Sequence, residues 1–248
     1  MYNPFSLENK KILITGGASG IGLSTALEAS KMGAEIILLD INQENLEKTK
    51  SILPSSNINS FVADLTDPNS VQEIINKLDP IDGLVNCAGI ALTKPFKFCG
   101  KEDLERIMYV NFFGPVLFTQ SLVKKNLISR NGSIVYLSSI DGTVCGHIGN
   151  SAYSASKGAV MGSVRSQALE LASKGIRVNC VSPARVNTPL LKRDNITEEQ
   201  VEENKKLYPL KRYAEPEEIA YYIIYLLSDA STYTTGSNLI IDGGFTLL

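Results

Sequence analysis

Short continuous runs of apolar residues recur along the chain, and longer stretches of helical character separate them. Continuous rather than alternating apolar runs are typical of parallel strands that are covered on both faces. The pattern predicts seven strands: Lys11–Thr15, Ala34–Asp40, Asn59–Ala63, Gly83–Asn86, Ser133–Leu137, Arg177–Val181 and Asn238–Ile241. Strands that alternate with helices predict an α/β fold, here a doubly wound sheet of seven mainly parallel strands with helices on both faces.

Residues that favour helix starts agree with this division. Asp67-Pro68 precedes the helical stretch Val71–Leu78, and Glu215-Pro216 precedes Ile219–Leu227. Each proline suits a first helical position, and the neighbouring acids suit the positive end of the helix dipole. The 248 residues contain no internal repeat or linker, so we expect one catalytic domain spanning residues 1–248.

Charge and composition narrow the class of protein. The net charge is −2, and acids and bases are interspersed, so no basic stripe for nucleic acid is present. No stretch approaches the ~18 apolar residues of a membrane span, and the first residues lack a secretion signal, which predicts a cytoplasmic protein. The four cysteines have neither paired short spacing nor accompanying histidines, so we expect free thiols and no metal site.

A glycine-rich turn follows the first predicted strand. Glycines 16, 20 and 22 lie between that strand and a helical stretch, Leu23 to Met32. Glycines allow close approach of the backbone to a pyrophosphate, and the N–H groups that begin the helix bind its negative charge. The spacing of four then two is wider than the common dinucleotide fingerprint, so an ordinary glycine-rich turn is the alternative.

Asp40 ends the second predicted strand, 18 positions after Gly22. A carboxylate there suits the two hydroxyls of an adenosine ribose and repels the 2′-phosphate of NADP. Gly17 and Ile41, where a phosphate-binding cation would lie, are uncharged. We therefore predict NAD rather than NADP, with helix capping as the alternative role of Asp40.

Tyr153 and Lys157 are four residues apart, which places both on one face of a helix. A lysine beside a tyrosine favours phenolate and is expected to lower the pKa of the phenol, which then can exchange a proton near neutral pH. The spacing also arises by chance, so the rest of the chain must support this interpretation.

The ordered set of motifs resembles the short-chain dehydrogenase/reductase family from residue 8 to residue 248. The motifs are Thr15–Gly22, Asp40, Asp64-Leu65, Asn86–Gly89, Asn111, Ser138-Ser139, Tyr153 with Lys157, and Ser182-Pro183. The resemblance implies a single Rossmann-type domain that binds NAD. The late segments 209–219 and 235–244 are similar to the branch containing 3-oxoacyl-carrier-protein reductases and many alcohol and sugar dehydrogenases.

The resemblance implies a catalytic set of Asn111, Ser139, Tyr153 and Lys157. Ser139 would donate to the substrate oxygen, Tyr153 would transfer the proton, and Lys157 would also bind the nicotinamide ribose. Asn111 would hold a water behind the lysine, although an unaligned asparagine is as often a helix-bending residue. Ser139 is preferred to Ser138 because the second serine of the pair matches the family position.

The resemblance also implies a set of cofactor contacts. Asp64 would hold the adenine amino group, the turn at residues 86–89 would approach the centre of the cofactor, and the loop at residues 183–188 would contact the carboxamide. The full set is Gly16, Ser19, Gly20, Ile21, Gly22, Asp40, Ile41, Asp64, Leu65, Asn86, Ala88, Gly89, Tyr153, Lys157, Pro183, Val186 and Thr188. Ala184 departs from the usual glycine, a change that is mild at negative φ and strained at positive φ.

Three segments are candidates for the substrate pocket. His147 lies with Cys145 and Asn150 between Ser139 and Tyr153, and contacts substrate or is merely exposed. Phe96 and Phe98 are expected at a pocket edge or in the core. The resemblance implies a flap over residues 189–210, in which Thr197 to Gln200 has the spacing of a capping box and predicts a short helix.

These features predict an oxidoreductase that interconverts a secondary alcohol and a ketone, with a small-molecule substrate and NAD. By resemblance, a homotetramer is expected, in which the small residues of the Tyr153 helix pair across subunits or pack on their own sheet. One alternative is a 3-oxoacyl-carrier-protein reductase, although those enzymes usually use NADPH. The other is a nucleotide-sensing protein without catalysis, which typically lacks the tyrosine or lysine. Relatives with a longer C-terminal substrate domain do not fit this length.

Overall fold

A computed structural model describes residues 2–54, 57–191 and 197–247. The strands are β1 Lys11–Thr15, β2 Glu35–Asp40, β3 Ile58–Val62, β4 Ile81–Asn86, β5 Ile128–Leu137, β6 Arg177–Pro183 and β7 Asn238–Ile241. The helices are α1 Gly20–Lys31, α2 Gln43–Ile52, α3 Pro68–Ile75, α4 Lys101–Met108, α5 Gly114–Lys124, α6 Ser151–Leu171, α7 Glu198–Lys205 and α8 Pro216–Leu227.

The seven strands form one sheet in the order β3-β2-β1-β4-β5-β6-β7, and every neighbouring pair is parallel. The predicted Rossmann-type doubly wound fold is therefore confirmed. Chain order reverses between β1 and β4, and such a switch point opens a crevice at the carboxyl ends of the strands. All seven predicted strands exist, with shifts at their ends.

Two apolar layers cover the sheet. Helices α3, α5 and α6 pack on one face, where Phe118 and Leu122 of α5 are fully buried. Helices α1, α2 and α8 pack on the other face, where Ala26, Leu46 and Ile223 are buried. Alternate residues of each central strand enter opposite layers, as Leu13 and Ile14 do in β1. This double burial is the physical reason for the continuous apolar runs in the sequence.

The predicted helix starts are observed. Asp67 is the N-cap of α3 and Pro68 is its first residue, and Glu215 and Pro216 have the same positions at α8. The Thr197 hydroxyl accepts a hydrogen bond from the backbone N–H of Gln200, and the backbone N–H of Thr197 donates to Gln200 Oε1, which is a full capping box. Helix α7 begins there, inside the expected flap.

Strand β5 is longer than predicted. It begins at Ile128 instead of Ser133, and its pairing with β4 changes register between Ile81 and Gly83. The extra residues include Arg130 and Asn131, and Asn131 has a φ of 63°. Because this half of the strand is polar and irregular, it does not form part of a continuous apolar run in the sequence.

Within the described residues, no helix has both the length and the apolar character required to cross a membrane.

Candidate active site

A cavity of about 180 Å³ opens at the carboxyl ends of the strands. Its walls come from the loops that follow β4, β5 and β6, the first turns of α1 and α6, and the segments on either side of α7. Ser139 and Tyr153 both line it. The parallel arrangement of the strands brings these loops to one edge, although they are far apart in sequence.

The glycine turn between β1 and α1 requires glycine at each of the three predicted positions. Gly16 and Gly20 have φ values of 66° and 52°, which other residues rarely adopt. A Cβ added at Gly22 would lie 2.1 Å from the carbonyl oxygen of Gly16, so only glycine lets α1 begin this close to the turn. The N-cap of α1, Ser19, makes no side-chain capping bond to a described residue, so the first N–H groups suit an anion.

The carboxylate of Asp40 is hydrogen-bonded to the backbone of this turn. Its Oδ2 accepts a hydrogen bond from the N–H of Ala18 at 3.2 Å, and its Oδ1 accepts one from the N–H of Asn42 at 3.0 Å. The N-cap of α2 is Asn42, whose side chain accepts from Asn45, so Asp40 is not the helix cap. Ile41 is exposed beside it. The geometry thus fixes a negative charge at the tip of β2 next to the glycine turn.

Residues that follow β3 and β4 form the rest of the predicted cofactor-binding region at the carboxyl edge of the sheet. Asp64 accepts hydrogen bonds from the backbone and hydroxyl of Thr66, which stiffens the turn that leads through Leu65 into α3. Asn86 is buried and donates to Thr119 at 3.2 Å, while its Oδ1 has no partner among the described residues. A Cβ on Gly16 would lie 2.8 Å from the backbone of Ala88, so the two loops are in direct contact.

Asn111 lies in a single turn of π-helix, Tyr109–Phe113, that joins α4 to α5. Both ends of its amide form hydrogen bonds: Oδ1 accepts from the N–H of Ile90, and Nδ2 donates to the carbonyl of Ile90 and to Ser156. The side chain therefore joins the loop after β4 to α6. Gly89 passes beside it, since a Cβ there would lie 3.2 Å from Asn111 Oδ1. The expected contact of Asn111 with a water stays a prediction.

The two serines after β5 have different surroundings. Ser138 is buried and donates to the carbonyl oxygen of Lys157 at 2.9 Å, so its hydroxyl ties β5 to α6. Ser139 Oγ accepts the N–H of Asp141 at 3.1 Å. Because that bond uses a lone pair of Ser139, its own proton is available to an acceptor in the cavity. This difference supports the choice of Ser139 over Ser138.

Tyr153 and Lys157 lie on the same face of α6, as the spacing predicts, but the expected lowering of the tyrosine pKa is wrong for the protein alone. Burial is the largest influence and raises the pKa of Tyr153 to about 12; a hydrogen bond with Ser139 opposes it, and Asp141 adds to it. The Lys157 Nζ lies 5.7 Å from the centre of the Tyr153 ring and donates to the carbonyl of Leu137 at 2.7 Å. Burial also lowers the pKa of Lys157 to about 8.

Asp141, His147 and Asn150 form a connected polar group on one wall of the cavity. Asp141 Oδ1 is hydrogen-bonded to His147 Nδ1, and its Oδ2 accepts from Asn150 Nδ2 at 2.7 Å. Burial is the largest single influence and raises the pKa of Asp141, but the hydrogen bonds with His147, Asn150 and Cys145 and the electrostatic attraction of His147 together hold the pKa below the usual range. His147 both lines the cavity and is exposed, with 37% of its side chain accessible, and its contact with substrate stays a prediction.

The same fold brings together three groups with metal-binding atoms. Asp141, Cys145 and His147 each have such an atom, and these lie within 4.8 Å of one another. Here they are hydrogen-bonded, since the Cys145 thiol also donates to Asp141 Oδ1 at 3.7 Å. The absence of a metal stays a prediction.

Other predicted pocket residues separate into two groups. Pro183, Val186 and Thr188 line the cavity, as do Ala91 and Thr93 of the loop after β4. Phe96 and Phe98 are exposed and belong neither to this cavity nor to the core, which corrects both expectations for them.

The departure at Ala184 is mild. Among the described residues, the non-glycine positions with positive φ are Asn9, Asn126, Asn131 and Lys211, and Ala184 is not one of them. Its Cβ therefore causes no backbone strain. Its N–H donates to the carbonyl of Ile241 at 3.0 Å, so β6 and β7 hold the loop in place.

The expected flap is partly described. Leu190, Leu191 and Tyr208 line the cavity, so both ends of the 189–210 segment reach it. Residues 192–196 of that segment lie outside the described residues.

Comparison with known proteins agrees with this geometry. The family model described as Enoyl-(Acyl carrier protein) reductase matches residues 16–246. The 3-oxoacyl-(acyl-carrier-protein) reductase FabG of Thermotoga maritima is 39% identical over 248 residues, with 97% of this chain and 99% of the relative covered. Dehydrogenase/reductase SDR family member 6 of Aquarana catesbeiana is 33% identical over 245 residues, with 97% and 99% covered.

A solved structure has the same fold over nearly the whole chain. It is a short-chain dehydrogenase/reductase of Brucella melitensis titled glucose/ribitol dehydrogenase, with a TM-score of 0.89 and 31% identity, covering 98% of this chain and 99% of that one. The chain belongs to the short-chain dehydrogenase/reductase family. It is an oxidoreductase of that family, whose members use nicotinamide cofactors and small-molecule substrates.

Asp141 and Arg185 are polar residues of the cavity that the sequence analysis did not single out. The position of Asp141 could have indicated it, because a side chain two residues after Ser139 can bond the polar groups of the same loop. Tyr208 lies within the expected flap over residues 189–210 but was not named as a cavity residue there.

The different surroundings of Ser138 and Ser139 predict separable effects. Ser139→Ala should lower the turnover number by roughly 100-fold or more, because it removes the cavity donor. Ser138→Ala should retain most activity and lose about 1 kcal/mol of unfolding free energy, because one buried hydrogen bond is lost. Steady-state kinetics and denaturant unfolding of both variants measure these effects, and the reverse ranking of activities would contradict the choice of serine.

Proposed function

We propose that the protein is an NAD(H)-dependent oxidoreductase that interconverts a secondary alcohol and a ketone, with Tyr153 as the general acid and base. The observation that carries this proposal is the carboxylate of Asp40, which is fixed by two backbone N–H groups beside the glycine turn. A fixed negative charge there favours ribose hydroxyls over a 2′-phosphate. Ser139 and Tyr153 open on the cavity at the same edge of the sheet.

The residues present fit a dinucleotide. The uncapped start of α1 suits the pyrophosphate, Asp40 suits the adenosine ribose, and the buried ammonium of Lys157 suits the nicotinamide ribose. Asp64, Asn86 and Gly89 would line the stretch between them, and Pro183, Val186 and Thr188 would contact the carboxamide. When bound, the nicotinamide supplies the hydride donor or acceptor.

The roles of this chain's own groups follow from their hydrogen bonds. Ser139 holds a proton toward the cavity and would donate it as a hydrogen bond to the substrate oxygen. Tyr153 is a neutral phenol at physiological pH, because its pKa is raised to about 12, and would deliver a proton to that oxygen in ketone reduction. Asn111 keeps the loop after β4 and α6 at a constant separation.

A second candidate function is 3-oxoacyl-carrier-protein reduction. The Thermotoga maritima relative, at 39% identity over nearly the full length of both chains, favours it. Such reductases usually use NADPH, and the charge of Asp40 opposes a 2′-phosphate. Cofactor preference therefore discriminates between the two candidates.

A panel of secondary alcohols, sugars, ketones and an acetoacetyl thioester, measured at 340 nm with NADH and NADPH, tests the proposal. We expect at least about a 10-fold preference for NADH in kcat/KM. Asp40→Ser should reduce or reverse this preference, because the repulsion of the phosphate is lost. The matched control is Glu35→Gln, at the opposite end of the same strand, which should leave the preference unchanged. A wild-type preference for NADPH would refute the argument from Asp40.

The same panel separates an enzyme from a sensor. Tight NAD binding with no turnover of any substrate would favour the nucleotide-sensing alternative. The four side chains of the expected catalytic set are all present in this chain, which argues against that alternative: Asn111, Ser139, Tyr153 and Lys157.

The raised pKa of Tyr153 predicts opposite pH dependences for the two directions. Between pH 6 and 7 the phenol is protonated and Lys157 stays mostly charged, because its pKa of about 8 lies above this range, so reduction of 2-butanone should change less than about twofold. Oxidation of 2-butanol needs the phenolate, whose fraction grows about tenfold per pH unit, so its kcat/KM should rise steeply. Tyr153→Phe should abolish both reactions while NADH still binds, as measured by fluorescence. A flat oxidation profile would contradict this assignment.

We also propose a cytoplasmic homotetramer. The cysteines are unpaired in the described residues, in keeping with a reducing compartment. Tyr109, Phe113 and Leu117 follow each other at four-residue intervals and are exposed, and the exposed Gly162 of α6 has open space around it. An exposed apolar stripe and an open glycine on a helix surface each suit contact with a helix from another subunit.

Light scattering of the purified protein tests this assembly. Leu117→Arg should convert the tetramer to smaller species, because a charge would be buried in the contact. Ile52→Arg on α2, a comparably exposed apolar residue away from the stripe, should not. A monomeric wild-type protein would overturn the proposal.

A further inference from the structure

A row of hydrogen-bonded side chains forms one wall of the substrate cavity. Thr93 Oγ1 donates to Asn150 Oδ1 at 3.3 Å, Asn150 Nδ2 donates to Asp141 Oδ2, and Asp141 Oδ1 is bonded to His147 Nδ1. All four residues line the cavity together with Ser139 and Tyr153. The proton-transfer chemistry uses none of them directly, so this polar wall requires another role.

Two contacts fix the orientation of the His147 ring. The Asp141 carboxylate holds Nδ1, and the ring stacks on Phe245 with 5.4 Å between centroids and 29° between planes. Phe245 in turn lies 4.9 Å from the ring of Tyr208, another cavity residue. A ring held at one edge and one face presents its remaining nitrogen, Nε2, in a constant direction, and such preorganisation favours ligand binding.

We propose that His147 determines substrate specificity by forming a hydrogen bond through Nε2 with a second hydroxyl group of the substrate, close to the reacting carbon. The substrate class is then hydroxy ketones and the corresponding diols or sugars. This inference rests on the proposed alcohol–ketone oxidoreductase function and narrows it.

The hydrogen-bonding groups of this wall favour a hydroxyl group of the substrate as the partner of His147. With Nδ1 bound to a carboxylate, Nε2 accepts a hydrogen bond when the imidazole is neutral and donates one when it is protonated. A hydroxyl can do either, so it pairs with His147 in both states. The negative charge of Asp141 on the same wall opposes an anionic substrate. The competing class is a carboxylate-bearing ketone, because Arg185 also lines the cavity.

The test compares matched substrates, acetoin and 2-butanone, which differ by one hydroxyl. The wild-type protein should prefer acetoin by roughly 10-fold in kcat/KM. His147→Phe keeps a flat ring against Phe245 but removes the nitrogen, so it should lower kcat/KM for acetoin by about 10-fold, chiefly through KM. The value for 2-butanone should stay within about twofold, and His147→Gln should restore part of the loss. The control is Ile148→Ala, a neighbour that is 97% exposed.

The outcomes separate this inference from the function on which it rests. An equal loss on both substrates in His147→Phe, or no wild-type preference for acetoin, would show that His147 is structural. Acetoacetate, a ketone that carries a carboxylate, is measured alongside them, and a loss confined to it would replace the hydroxyl by a carboxylate and also overturn the inference. Neither of these results affects the proposed function. That function fails instead if the wild-type protein binds NADH and turns over no substrate of the wider panel.

Discussion

The close contact between the loop after β5 and helix α6 is the constraint on which the site depends. A Cβ added at Gly142 would lie 1.9 Å from the carbonyl oxygen of Ser154, and a Cβ added at Gly158 would lie 2.9 Å from that of Gly142. The loop and the helix thus touch through bare backbone, and the Ser138 hydroxyl bonds Lys157 across the same contact. Because Ser139 and Asp141 belong to the loop and Tyr153 to the helix, their separation is set by this packing and not by flexible side chains.

Burial of a charged lysine costs free energy of folding, and contacts in the surrounding structure must offset that cost. Lys157 is 4% exposed, and its ammonium bonds the carbonyl of Leu137 at the end of β5. Burial favours the neutral forms of both Lys157 and Tyr153, so the protein alone does not stabilise a phenolate. The charges that would change this balance belong to the bound dinucleotide and substrate, which links proton transfer to the occupied site.

The sequence was sufficient to predict the fold because both faces of the sheet are covered, and this produces continuous apolar runs of strand length. Local spacing was also sufficient to predict that Tyr153 and Lys157 share one face of α6 and that a glycine turn precedes α1. Ser139 came from the family resemblance, and the catalytic roles of these residues stay predictions. The sequence could not predict the pKa of Tyr153, which depends on burial by distant segments. Nor could it assign His147 a definite position, because Asp141 and Phe245, which hold its ring, are 6 and 98 positions away and meet it only in the folded chain.

The π-helical turn at Tyr109–Phe113 accommodates one extra residue between α4 and α5. An α-helix advances by about 100° per residue, so a five-residue turn adds one residue without adding a full rotation. Loss of one residue would therefore let this turn close as ordinary α-helix, with α4 and α5 kept in nearly the same phase. The position most affected would be Asn111, which bonds the backbone of Ile90 from within the wide turn. The extra residue of this single irregular turn thus places an interior polar side chain without displacing the exposed side chains on either side of it.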